Sequence, residues 1–384
     1  MRRGFLVILL SALLGSVSCN SKPVIPTTSR LSPMTSPLLA SMLGPTAAPT
    51  LKATSTPTPW TTSTATPSPT LVPTPVGIAP PPGLIFATYG EYGLWQIDEN
   101  GVPRKILDQL PVSVSAEGSH VVYNDHDVFW MHDLDTGKSF NLTEVVGRRA
   151  CCFQWFSARP ADVFFNSSLP EKQIPPFTAG FPMTFHLSTG VQRVLDDSHV
   201  SFTAPALSPD GQTIAYDRSG KGWLLRLDDA AHEIDPVAYG LSKVETMVNP
   251  VWSPWGRRLV WAVFSGGKWG YGVFNLKEQT AQLLHQHNST VFEGWPERAV
   301  WSPDGRWLAL NIYSQALDDD GIWIVSVDDE MEHRLGNDHS KMIWSPDSRG
   351  LAAGRTLYEV GTWRAQPLDL PQDAEVVAWV SPTK

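Results

Sequence analysis

From Leu84 onward, short apolar runs alternate with tight polar turns, and the same arrangement returns again and again. Leu207-Ser-Pro-Asp-Gly211, Trp252-Ser-Pro-Trp-Gly256, Trp301-Ser-Pro-Asp-Gly305 and Trp344-Ser-Pro-Asp-Ser348 are the clearest copies. Each closes one apolar run and opens another, such as Thr213-Ile-Ala-Tyr216 or Trp307-Leu-Ala-Leu310. A further strand-like run follows at an equivalent place, as in Lys221 to Leu227 and Gly321 to Val327. A polar turn and a last short strand complete each unit. Runs of this length, bounded by Pro, Asp and Gly, predict strands and hairpins rather than helices.

The turn has a mechanical basis. Pro209, Pro303 and Pro346 preset φ at the first turn position. Asp210, Asp304 and Asp347 tolerate the second and bond local backbone, and Gly211, Gly256 and Gly305 supply positive φ. Ser208, Ser253, Ser302 and Ser345 are therefore turn residues and not nucleophiles, with Pro254 completing the second copy. These serines are separated by 45, 49 and 43 residues. A period in the forties with four strands per unit predicts an all-β fold, a β-propeller of four-stranded blades.

Weaker copies extend the count. Ser115-Ala-Glu-Gly118 precedes Val121, and Phe156-Ser-Ala-Arg-Pro160 precedes Val163. Leu84-Ile-Phe-Ala87 reads as a second strand lacking its first. Val376-Val-Ala-Trp-Val-Ser-Pro382 reads as a first strand lacking the rest. Together they predict one blade built from both chain ends, which closes the ring and removes exposed edges. Seven blades result, or six if two weak copies merge.

Residues 84–384 resemble the TolB-like, PD40-type branch of WD40-like propellers, on the strength of the Ser-Pro-Asp-Gly copies. That resemblance implies a periplasmic or surface scaffold for protein partners. Similar propellers gate the active sites of prolyl-oligopeptidase-type enzymes. Here the chain stops inside its last blade, which predicts no hydrolase domain behind it.

Composition adds a second material in front of the repeats. Of 33 prolines, 15 precede Gly83, whereas all tryptophans but Trp60 follow it. Residues 20–83 are rich in Thr, Pro, Ser and Ala without apolar periodicity, so packing cannot repay their ordering entropy. They predict an extended, disordered tether. Residues 1–19 run basic (Arg2, Arg3), apolar (Phe5 to Leu14), then small (Ser16-Val17-Ser18) to Cys19. That order predicts an export signal. The run is too short to span a ~30 Å hydrocarbon core. Its end resembles a bacterial lipobox, although Ser16 stands where Leu is usual. The resemblance implies a lipid on Cys19 and a protein held at the outer surface of the cell membrane or in the periplasm.

Charge narrows the partners. The chain carries −9, and its acidic residues all follow Gly83. An acidic domain without a basic stripe argues against nucleic acid and for a soluble monomer.

Propeller connectivity then sorts the loops. Turns after first and third strands lie on one face, and these are short, including Glu99-Asn-Gly101, Asp135-Thr-Gly137 and Ser188-Thr-Gly190. Connections after second and fourth strands lie on the other face and hold every long insertion: 166–181, 236–249, 287–298 and 313–320. Long loops on a rigid frame are where binding usually resides. The candidate binding face thus carries Phe177, Tyr239, His285, His287, Phe292, Trp295 and Tyr313.

Metal and thiol chemistry are less well supported by the spacing. His285 and His287 stand at a strand end and read as a solvated loop. Asp318-Asp-Asp-Gly321 reads as a charged turn, as does Asp125-His-Asp127 with His132 and Asp133. No metal and no cofactor is expected. Cys151 and Cys152 read as one packed cysteine and one exposed or interblade thiol, with a vicinal disulfide as the alternative. The usual hydrolase, zinc-protease and nucleotide-binding motifs are missing. The expectation is a binding or scaffold module for a protein or cell-envelope glycan. The alternative is a hydrolase of glycan or ester assembled from loops at the propeller mouth, which paired carboxylates would favour.

Overall fold

A computed structural model describes residues 77–146, 150–156, 159, 161–167, 181–195, 205–226, 231–287, 298–314, 318–329, 331–337 and 339–381. Within them, the apolar runs form seven four-stranded antiparallel sheets. Each sheet is one blade of a β-propeller, as the repeat period requires. Cys19 and the export and tether segments before residue 77 lie outside the described residues.

Both chain ends build blade 1. Its strands, from the axis outward, are Ala374–Trp379, Leu84–Thr88, Gly93–Ile97 and Pro103–Leu107. Leu84 pairs with Trp379 and Phe86 with Val376 in antiparallel register. The Trp379 indole donates to Pro82 O at 3.2 Å, and Val380 N donates to Gly83 O at 3.0 Å. The expected seven-bladed closure is thus present.

Blades 2 to 7 follow in chain order, beginning with innermost strands Pro111–Val114, Cys151–Trp155, Ala206–Leu207, Val244–Trp252, Val300–Trp301 and Met342–Trp344. The attachment to the ring starts before blade 1. Ile78 forms a parallel bridge with Leu368 at the outer edge of blade 7, with Ile78 N donating to Pro367 O at 2.8 Å.

The turn motif behaves as its chemistry dictates. Ser302 Oγ donates to Asp304 Oδ1 at 2.6 Å and accepts from Trp307 N at 2.9 Å. Gly305 N donates to Ser302 O at 2.8 Å, with Gly305 at φ 69°. Ser208 and Ser345 repeat the pattern. In the copy with Trp255 in place of Asp, Ser253 Oγ still accepts from Arg258 N at 3.0 Å. Ser115 accepts from His120 N in the same way, so the weak upstream copy folds alike.

The residue before each serine has a role that the sequence reading did not assign. Trp252 Nε1 donates to Ala206 O at 3.1 Å, Trp301 Nε1 to Val251 O at 3.3 Å, and Trp344 Nε1 to Val300 O at 3.0 Å. Each indole thus crosses to the innermost strand of the preceding blade. Trp155 Nε1 does so through Ser113 Oγ at 2.8 Å. Where Leu207 replaces tryptophan, its backbone N–H and C=O are taken by the side-chain amide of Gln154. Burial and a directional bond therefore join neighbouring blades at one repeated place.

Two sequence expectations need correction here. The insertion read as 236–249 is shorter, because the first strand of blade 5 begins at Val244 and Pro236–Tyr239 forms a 3-10 turn capped by Asp235. The regular alternation expected here also fails at Cys152, which has φ 65°, lies where the register shifts between Cys151 and Gln154, and is disulfide-bonded. A free thiol at Cys152, exposed or interblade, is thereby excluded.

Candidate functional site

Strand direction places the ends of second and fourth strands on one face of the ring. The connection from Ser167 to Phe181 leaves a second strand, as does the one from Ile312 to Gly321. Those from Glu233 to Val244 and from His287 to Val300 leave fourth strands. All four open on the same face. Phe177, Phe292 and Trp295 lie outside the described residues.

Blade 6 carries a polar cluster at this face. Ile312 ends its second strand, and the chain returns at Gly321, whose φ of 120° leaves no room for a Cβ beside Gly336 O. Asp320, just before that glycine, accepts from Ser314 N at 2.9 Å through Oδ1. Its Oδ2 meets His339 Nε2 at 3.1 Å. His339 Nδ1 meets the buried Asn311 Oδ1 at 2.9 Å. Arg334 donates to Asp320 O and, at 2.7 Å, to Asn337 Oδ1. The Tyr313 ring stacks on His339, centroids 4.1 Å apart and 13° from parallel. Tyr313 remains 45% exposed, so a rigidly held ring presents its outer side to solvent.

Blade 1 presents a second aromatic cluster at the same face. Asp373 accepts from the backbone N–H groups of Tyr89, at 2.9 Å, and of Gly90, which hold its carboxyl below the usual range. Tyr89 OH donates to Glu375 Oε2 at 2.9 Å. Partial burial, then that carboxylate, push the Tyr89 hydroxyl up to about 12. Tyr89 and Tyr92 are both exposed. Burial pushes the amine of Lys341, at the head of the innermost strand of blade 7, below its usual range, while the charge of Glu375 opposes that shift. Sequence reasoning missed Tyr89 and Tyr92 because it weighed only long insertions, and this connection is short.

The remaining candidates separate. Tyr239 sits in the short 3-10 turn with its ring edge-on to Phe274, centroids 5.4 Å apart, and partial burial raises its hydroxyl above the usual value. It serves packing as much as surface. Asp125 and His126 pair at 2.6 Å at one end of a hairpin in blade 2. His132 and Asp133 lie at its other end, so that quartet does not converge.

His285 and His287 are not solvated, which corrects the loop reading. They are 7% and 5% exposed. Both belong to the outer strand of blade 5, Thr280–His287, where a bulge breaks the pairing with Lys268–Asn275 and puts His285 at φ 46°. His285 Nδ1 lies 3.0 Å from Glu332 Oε2, and its ring packs 4.4 Å from that of Trp323. Burial, reinforced by His285, pushes the His287 imidazole down to about 4 against the pull of Asp319. His287 is therefore neutral at physiological pH. The sequence spacing alone could not signal the bulge that turns both rings inward.

No protein-family model matches the chain, and no curated protein sequence matches it. Among solved structures it resembles an oligogalacturonate lyase in complex with manganese, at 12% identity over 74% of this chain and 82% of that one, with a TM-score of 0.51. It is also similar to TolB from Acinetobacter baumannii, at 14% identity over 77% and 81% of the two chains, with a TM-score of 0.46. At such identities a likeness speaks for architecture alone. The architecture of this chain, given by its repeats and its strand register, is the seven-bladed β-propeller.

Proposed function

We propose that this chain is an exported binding module, held to a membrane through Cys19, that meets a protein or cell-envelope glycan on the face of its long connections. The observation that carries the reading is Tyr313: an exposed aromatic ring locked by stacking on His339, at the edge of an insertion, on the face where all long insertions open. Rigid, amphipathic aromatic side chains offer large contact area at small entropic cost. The opposite face carries the turns whose Ser and Asp side chains bond each other and accept from backbone N–H groups. Three carboxylates on the face of the long connections are likewise engaged: Asp320 by His339 and Ser314, Glu375 by Tyr89, and Asp373 by two amides. Such commitments suit recognition better than a hydrolytic acid–base pair.

The test is capture from detergent-solubilised envelope on immobilised wild-type chain and variants. Tyr313→Ala and Trp295→Ala are expected to reduce capture at least about tenfold, as for an aromatic anchor worth more than about 1.4 kcal/mol. Asp135→Ala and Ser188→Ala, on the tight-turn face, are expected to retain it. Loss in the second pair with retention in the first would reverse the assignment of faces. Protease and glycosidase treatment of the captured material separates a protein from a glycan.

Anchoring has its own test. Cys19→Ala is expected to move the chain from the membrane to the soluble fraction, or to stall its processing. Unchanged membrane association and mass would exclude the lipid.

A further inference from the structure

His285 and His287 form a buried imidazole pair that the contact face does not use. His285 Nε2, His287 Nδ1 and His287 Nε2 are shut off from solvent and have no hydrogen-bond partner. Buried polar atoms are nearly always paired, because an unpaired one costs its full desolvation. A neutral His287 already bears that cost. An imidazolium would add a second N–H donor and a charge, still without an acceptor. A proton on His287 and a closed seam between blades 5 and 6 therefore oppose each other.

We infer that this pair is an acid-released latch between blades 5 and 6 that holds Tyr313 in its contact position. A chain of contacts leads from the latch to that ring. The two histidine rings lie 5.9 Å apart, and that of His285 packs 4.4 Å from Trp323. Trp323 Nε1 donates to Asp319 O at 2.9 Å. The next residue, Asp320, fixes His339, and the Tyr313 ring stacks on His339. Loss of the packing behind Trp323 therefore loosens the turn on which Tyr313 depends. The inference rests on the reading of Tyr313 as a contact residue.

The surrounding charges set the direction of the switch. From blade 6, Glu332 Oε2 lies 3.0 Å from His285 Nδ1, and Asp319 is near enough for its charge to act on His287. Arg334, opposite Trp323 in register, turns its guanidinium to Asp320 O and Asn337. His333 faces blade 7, against Trp363. From blade 5, Lys268 stands exposed at the start of the strand that pairs with Thr280–His287. Burial, reinforced by His285, outweighs Asp319 and holds His287 at about 4 instead of 6.5. An opened seam returns the ring to its ordinary value. Between these values the open form binds more protons than the closed one. The closed form is thus fully favoured above about 6.5 and loses ground as pH falls toward about 4.

Hydrogen exchange of the full chain, read by mass spectrometry across a pH series, tests the latch. With intrinsic rates divided out, protection over Thr280–His287 and Gly321–Ser326 is expected to fall by up to about tenfold per pH unit below about 6.5. Leu84–Thr88 of blade 1 is expected to show no such slope. His287→Phe keeps a ring and needs no partner, so its profile is expected to be flat and its melting temperature at neutral pH no lower than that of wild type. His287→Leu serves the same comparison should phenylalanine not fit. His339 is untouched in both. Envelope capture by wild type is expected to fall at least about tenfold between about pH 7.5 and about pH 5, and capture by His287→Phe to hold. A wild-type profile like that of Leu84–Thr88, or a folded His287→Phe or His287→Leu with the wild-type slope, would overturn the latch. Acid opening with equal capture by wild type and His287→Phe at both pH values would overturn its hold on Tyr313. Wild type that captures nothing at either pH counts against the contact face instead, since exchange reads the seam alone.

Discussion

A chain cut before Val376 is expected to aggregate, or to melt far below the full-length protein. The cut removes most of the innermost strand of blade 1 and, with it, the partner of Leu84–Thr88. Leu84, Ile85 and Phe86 are buried, and Val376 is fully so. Val380 packs with Ile85, Leu94 and Val121, which brings blade 2 into the same seam. Fully burying one such aliphatic side chain contributes about 1.5–3 kcal/mol. Losing two buried valines, the Trp379 packing and a ladder of backbone bonds removes a large part of the ~5–15 kcal/mol by which a domain is stable. The cut also exposes an unpaired strand edge, a template for association. Thermal melting and light scattering of the truncated chain check this. A melting temperature equal to that of the full chain would contradict closure by the chain ends.

The indole contacts between blades lead to the second large effect. Trp344→Ala is expected to cost about 3–5 kcal/mol, the usual range for deleting a buried aromatic ring. Trp344 is 5% exposed and reaches Val300 O of the preceding blade. Trp344→Phe keeps most of the packing but leaves that carbonyl without its donor, at an expected cost of about 1–3 kcal/mol. Chemical denaturation of the two variants separates the contributions. Equal losses in both would assign the effect to the hydrogen bond. A harmless Trp344→Phe would assign it to packing alone.

These tryptophans also show how far the sequence could be read. The turn beside them was legible, because Ser-Pro-Asp-Gly is a local device whose residues act on each other within a few positions. The blade count followed from its period, and closure followed from two incomplete copies at the ends. The indole bond to the preceding blade was not legible, since its acceptor is a backbone carbonyl some 45 residues away that leaves no mark in composition.

The same division holds at the candidate site. Which face bears the long connections follows from connectivity and could be read directly. The stacking of Tyr313 on His339 joins the second and fourth connections of blade 6, and only folding brings them together. His285 and His287 were misread for a related reason. A left-handed residue within a strand turns a predicted exposed end into a buried pair, and histidine gives little warning that it will adopt that conformation.

The central claim is that partners meet the face of the long connections. Photo-crosslinking from each face on intact cells tests it without knowing the partner. One chain carries benzoylphenylalanine at Tyr313. A second carries it at Trp255, 71% exposed in a tight turn on the opposite face. The expected result is a discrete adduct of higher mass from position 313 and none from position 255. An adduct from position 255 alone would contradict the account.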